Sequence, residues 1–188
     1  MDHHAEHVEA IASLARSHGF GIGVAESLTS GQVAADLGAG PQAASWFRGG
    51  LVAYASEVKF DVLGVRPGPV VSEECARQMA WGVASLLDAD AVVATTGVGG
   101  PDPDEGEPPG TVYVATLVRG RETCERLDLD GDPQAVLAQT RERALIALLE
   151  GLRAVAVESD PDDLSAPRPP DTARGGAPAG SPSRAASR

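Results

Sequence analysis

Three short stretches of the chain carry residues that can do chemistry, and each follows directly on an apolar run. In the first, Ala25-Glu26-Ser27-Leu28-Thr29-Ser30-Gly31, a serine sits between small apolar residues and an alanine-rich segment of helical spacing. A serine hydroxyl at a strand-to-helix turn can attack a carbonyl carbon, and free N–H groups at the helix start can hold the oxyanion that results. The same pattern also suits a plain helix cap at Ser27 or Thr29. The second stretch is Tyr54-Ala55-Ser56-Glu57-Val58-Lys59. Serine needs a base, and the four histidines, His3, His4, His7 and His18, all belong to the N-terminal segment. A lysine of depressed pKa can serve instead. Lys59 is the only lysine in the chain, every other basic side chain being arginine, and only lysine can lose its proton near neutral pH. The opposing reading is an ordinary exposed helix lysine. The third stretch is Thr96-Gly97-Val98-Gly99-Gly100-Pro101, followed by an acidic, proline-rich loop. Small residues there let backbone N–H groups approach an anion, although a flexible inter-strand loop has the same composition. It is neither a Walker A motif nor a complete dinucleotide fingerprint.

The elements that must position these residues are legible from periodicity. Ala5 to Ser17 has apolar residues at Val8, Ile11, Ala12 and Ala15, a helical spacing, with Gly19 at its end. Residues 21–25 read as a buried strand, 29–37 as a helix, 50–54 as a second strand and 56–63 as a short helix. Ser72 followed by Glu73 and Glu74 predicts an N-cap and a helix to about Leu87. Residues 89–96 form an apolar strand; 111–118 and 122–129 alternate as a hairpin turning at Arg119-Gly120-Arg121. A last helix runs from Pro133 to about Leu152. This alternation predicts an α/β fold, a single three-layer domain with a mixed β-sheet flanked by helices, over residues 1–159. From residue 160 to 188 the chain is rich in Pro, Gly, Ser and Arg and reads as a disordered tail.

The chain has 188 residues and a formal net charge of -12, which argues against nucleic acid as the main ligand. No stretch approaches the roughly 20 apolar residues of a membrane span, and the start of the chain is acidic and histidine-rich, unlike a secretory signal. A cytoplasmic protein without membrane attachment is expected. Cys75 and Cys124 form no CxxC pair, so structural zinc is not expected. His3 and His7 have i, i+4 spacing, but a terminal helix without accompanying carboxylates is a poor metal site. No metal and no cofactor are expected.

Taken in order, these segments resemble the CinA C-terminal domain family, whose pattern reads roughly A-E-S-C-T-G-G, Y-S-N-x-x-K, V-S-E-E, T-G-I-A-G-P and G-T-V. The corresponding stretches are Ala25 to Gly31, Tyr54 to Lys59, Val71 to Glu74, Thr96 to Pro101 and Gly110 to Val112. The resemblance spans about residues 5 to 155. It implies a stand-alone amidohydrolase that deamidates nicotinamide mononucleotide to nicotinic acid mononucleotide and ammonia, in pyridine-nucleotide salvage, as a homo-oligomer. It further implies Ser27 as nucleophile, Lys59 as general base and Tyr54 as an orienting or proton-relay group. Glu26, Thr29, Ser30, Gly31, Thr96, Gly97, Gly99 and Gly100 are the expected substrate-binding residues, with N–H groups from Thr29 to Gly31 holding the oxyanion. The sequence also departs from the family at Leu28, Ser30, Ser56 and Gly99. Where the family often carries arginines after Gly-Asp, this chain has Pro133 and Leu137. Two alternatives follow: an inactive binding or regulatory module, or an amidase for a different pyridine or nucleoside amide.

Overall fold

The computed structural model describes residues 3–158. Eleven elements alternate in the expected manner: α1 (His3–His18), β1 (Ile22–Glu26), α2 (Gln32–Gly38), a 3₁₀ turn (Ala43–Ser45), β2 (Phe47–Val52), α3 (Ser56–Asp61), α4 (Glu73–Leu87), β3 (Ala91–Gly97), β4 (Thr111–Val118), β5 (Arg121–Asp128) and α5 (Pro133–Glu158). The tail expected from residue 160 onward lies outside the described residues.

The five strands form one mixed sheet in the order β2-β1-β3-β4-β5. β1 runs parallel to both β2 and β3, while β3, β4 and β5 are antiparallel. All five residues of β1, and Ala91 to Thr96 of β3, are buried, as their unbroken small and apolar runs require for strands covered on both faces. β5 alternates exposed and half-buried residues, which suits an edge strand with one covered face. One apolar cluster joins α1, α2 and α5 to one face of the sheet through Ile11, Val33, Leu145 and Leu148 against Ile22, Val24 and Val93. A second joins α4 to the other face through Met79, Ala80 and Val83 against Val92, Ala94 and Ala115. The domain is therefore three layers deep, and its few aromatic residues leave a core of Ala, Val and Leu. Small residues permit close approach: a Cβ on Gly50 of β2 would meet the Cβ of Ala34 at 2.8 Å, so α2 lies tight on the sheet. The guanidinium of Arg141 on α5 clasps the carboxylate of Asp36 on α2 and locks these two helices together.

Several boundaries differ from expectation for local physical reasons. α2 begins at Gln32 rather than Thr29, because Ser30 and Gly31 take positive φ of 51° and 96°. β2 begins at Phe47 and ends at Val52, which leaves Tyr54 beyond the strand. α5 continues past Leu152 because Val155 and Ala156 prolong its buried stripe. α4 starts as read, with the Ser72 hydroxyl accepting from the N–H of Cys75 at 3.2 Å. Among the described residues, no helix is long and apolar enough to cross a membrane.

Candidate active site

The parallel strands β1, β2 and β3 end at the same edge of the sheet, and the chain leaves the central β1 first towards β2 and later returns to β3 on its other side. Ligands of open α/β sheets bind beyond the carboxyl ends at such a reversal. A cavity of about 270 Å³ lies there, lined by Ser27 and Leu28 after β1, by Tyr54, Ser56 and Lys59 around the start of α3, and by Thr96 to Gly100 after β3. Val70, Val71, Asp102, Asp104, Pro133 and Leu137 complete its wall.

Ser27 is held from below. Its N–H donates to the carbonyl of Thr95 at 3.0 Å, and the hydroxyls of Thr29 and Thr95 share a hydrogen bond of 2.9 Å. Neither Ser27 nor Thr29 caps α2. That task falls to Glu26, whose Oε2 accepts from the N–H groups of Gly31 and Val33 at 3.0 and 3.2 Å and whose Oε1 accepts from Ala34 at 2.8 Å. Three charge-assisted bonds compensate a carboxylate that is 1% exposed, and they place it at the positive end of the helix. The Ser27 side chain is thereby left free to face the cavity.

Lys59 is not an exposed helix lysine. It is 1% exposed, and its Nζ donates to the backbone carbonyl of Tyr54 at 3.2 Å. Burial lowers its pKa below the ordinary lysine value, which the more weakly acting Cys75, Glu105 and Asp104 oppose. The neighbouring Cys75 thiol is pushed up to about 11 by its own burial. Tyr54 is 70% exposed, and its contact with Lys59 is made by the main chain.

Of the sequence-predicted residues, Ser27, Tyr54, Lys59, Thr96, Gly97, Gly99 and Gly100 come together around the cavity. Glu26, Thr29, Ser30 and Gly31 do not line it. The carboxylate of Glu26 is consumed by α2, and the Thr29 hydroxyl by Thr95. Ser30 N–H donates to the carbonyl of Ser27 at 3.1 Å and Gly31 N–H to Glu26, so neither is available to an oxyanion. The N–H groups of Leu28 and Thr29 donate to no backbone acceptor among the described residues. Thr96 reaches the wall, but its hydroxyl donates to the carbonyl of Val70 at 2.7 Å and so shapes the cavity. Gly97 allows β3 to run against β4 up to the mouth: a Cβ there would lie 2.5 Å from the carbonyl oxygen of Thr111.

Residues missed as lining groups are Asp102 and Asp104, from the acidic loop, and Pro133 and Leu137, from the first turns of α5. The acidity of the loop was visible, but its fold over the mouth depends on long-range bonds, from Val71 N–H to Glu105 at 2.8 Å and from Arg126 to Glu107 at 3.1 Å. Among the described residues, no group of His, Cys, Asp or Glu side chains is arranged to hold a metal ion. A second cavity, of about 310 Å³, lies between β4, β5 and α5. Its Arg143 is engaged by Glu125 and Glu150, and burial pushes the Cys124 thiol up to about 11, so it offers no ready nucleophile.

A family model described as CinA C-terminal domain matches residues 4–152. The chain belongs to the CinA C-terminal domain family. This CinA domain is 44% identical over 146 residues to a Geobacillus kaustophilus protein named as competence-damage inducible, a match that covers 74% of the chain and 35% of the relative. A Levilactobacillus brevis protein of the same name is 40% identical over 138 residues, covering 70% of the chain and 32% of the relative. The chain thus spans about a third of the length of these relatives. Among solved structures, a CinA superfamily protein from Klebsiella pneumoniae shares 35% identity at a TM-score of 0.77, covering 80% of this chain and 98% of that one. One from Escherichia coli shares 31% at 0.76, covering 81% and 92%. The CinA fold is accordingly the α/β three-layer architecture described above.

Proposed function

We propose that this CinA domain is a serine amidohydrolase of the Ser–Lys type, acting on the carboxamide of a ribosylated nicotinamide. Nicotinamide mononucleotide is the substrate the family resemblance implies. The observation that carries the reading is the convergence of Ser27 and the buried Lys59 on one cavity at the strand ends. A desolvated lysine is a stronger candidate base near neutral pH than a solvated one, because burial disfavours its charged form.

In this mechanism Ser27 Oγ attacks the carboxamide carbon and its proton passes to neutral Lys59. The N–H group of Leu28, which lines the cavity and donates to no backbone acceptor among the described residues, stabilises the oxyanion. The C–N bond breaks, and ammonia leaves with the proton returned by Lys59. Water, deprotonated by Lys59, then attacks the Ser27 ester. The ester bond breaks, Ser27 regains its proton, and the carboxylic acid departs. The net reaction is amide plus water to carboxylate plus ammonium. Tyr54 orients Lys59 through its carbonyl. A cytoplasmic setting, a homo-oligomeric state and a place in pyridine-nucleotide salvage belong to the same proposal.

Acid quenching during turnover, followed by peptide mass mapping, tests the covalent step. A nicotinoyl ester on the Ser27 peptide supports it; turnover retained in Ser27→Ala contradicts it. A second reading, a non-catalytic binding module, draws on Pro133 and Leu137, which give the cavity wall no cation near α5. It predicts ligand binding without ammonia release.

A further inference from the structure

The charge of the cavity bears on which amide it accepts. Its lining contains one cation, Lys59, and two carboxylates, Asp102 and Asp104. Among the described residues no arginine lines it. The two aspartates are not incidental rim residues of a loose loop. Glu105, which follows Asp104, accepts from Val71 N–H at 2.8 Å, Asp104 and Glu107 form a backbone bridge, and Glu107 is paired with Arg126 at 3.1 Å. The loop is thus tied down on both sides, and neither Asp102 nor Asp104 forms an ion pair among the described residues. Apart from the uncharged backbone N–H groups of Gly99 and Gly100, the feature that could attract an anion is the start of α5, where Pro133 and Leu137 touch the cavity. There Pro133 has no N–H, and the carboxylate of Asp132 already accepts from the N–H of Ala135 at 2.8 Å. When Lys59 is neutral, as its role as base requires, the lining among the described residues carries two negative charges and no positive one.

A ribosylated nicotinamide carries a pyridinium cation. A phosphate monoester adds about -1.5 to -2 charge near pH 7 and three oxygens that need donors. The cavity complements the first group and repels the second. Resting on the amidohydrolase reading for the site but not on its turnover, we infer that the cavity selects a cationic, phosphate-free pyridinium carboxamide, of nucleoside type, over the corresponding mononucleotide. Asp102 and Asp104 are the specificity-determining residues.

The test is equilibrium binding by calorimetry to the full-length Ser27→Ala protein, with nicotinamide riboside and nicotinamide mononucleotide as the two probes. The expected result is tighter binding of the riboside by at least about tenfold, the scale of repulsion between charges a few ångströms apart near a protein surface. The double variant Asp102→Asn with Asp104→Asn, made in the same background, should narrow that ratio to about threefold or less. Equal or tighter binding of the mononucleotide, binding of neither probe, or an unchanged ratio in the double variant overturns the inference. Ammonia release by the wild-type protein is read separately. A riboside preference without ammonia release sinks the amidohydrolase reading and leaves the selectivity standing. Ammonia release with a mononucleotide preference does the reverse.

Discussion

The Nζ of Lys59 donates to the main-chain carbonyl of Tyr54 at 3.2 Å, while the Tyr54 side chain is largely exposed. The base is therefore oriented by backbone geometry that any residue at position 54 can supply. Tyr54→Phe should keep kcat/KM within about threefold of wild type, since this hydrogen bond is retained. A loss of a hundredfold or more in steady-state kinetics would show that the phenol itself moves a proton.

Lys59 carries a sharper expectation. Arg cannot lose its proton near pH 7, so Lys59→Arg should lower kcat by roughly 10²–10⁴, the usual share of a general base. Guanidinium is bulkier than ammonium, so Lys59→Met serves as the variant that fits a buried position. Circular dichroism on both, with kcat from ammonia release, separates misfolding from loss of the base. A folded Lys59→Arg protein with wild-type kcat would rule out lysine as the base.

The lowered pKa of Lys59 also fixes two pH dependences. Activity should rise with pH as Lys59 deprotonates and level off below 10.5, the ordinary lysine value. For stability, the unfolded chain binds the Lys59 proton up to 10.5 whereas the folded chain releases it at lower pH. Between these two values the unfolded state holds more protons, so the Lys59 contribution becomes more favourable as pH rises. Lys59→Met should therefore gain most over wild type below the folded pKa, and the gain should shrink as pH approaches 10.5. Chemical denaturation of both proteins across the alkaline range checks the sign.

Glu26 supports the nucleophile without touching the cavity. Glu26→Ala removes the acceptor of three N–H groups at the start of α2 and should cost about 2–4 kcal/mol. Glu26→Gln should cost less, because its amide oxygen still accepts. Urea midpoints with an unchanged m-value provide the measurement; an unperturbed midpoint in Glu26→Ala would contradict the capping role.

The periodicity of the chain showed most of the fold. Buried runs gave β1 and β3, and Ser72-Glu73-Glu74 marked the start of α4, because these signals are local. The assignment of polar side chains around Ser27 was less legible. Glu26, Ser27 and Thr29 all stand where a cap is plausible, and Glu26 caps from five to eight residues before its partners, outside the usual N-cap spacing. The burial of Lys59 was suggested only by its being the sole lysine, since its helix reads as amphipathic either way. Asp102, Asp104, Pro133 and Leu137 reach the cavity from distant parts of the chain. Pro133 and Leu137 depart from the family pattern, but nothing local to them signals that both face the same space as Ser27.

Ammonia release tests directly whether Ser27 is the nucleophile of an amidohydrolase. Purified wild-type protein and Ser27→Ala, both shown to be folded, are incubated with nicotinamide riboside and with nicotinamide mononucleotide at mildly alkaline pH. A Ser27 nucleophile predicts ammonia from the wild type on at least one of the two, and a loss on the order of 10³-fold or more in Ser27→Ala. No ammonia from the folded wild-type protein on either amide, or equal release by Ser27→Ala, would contradict it.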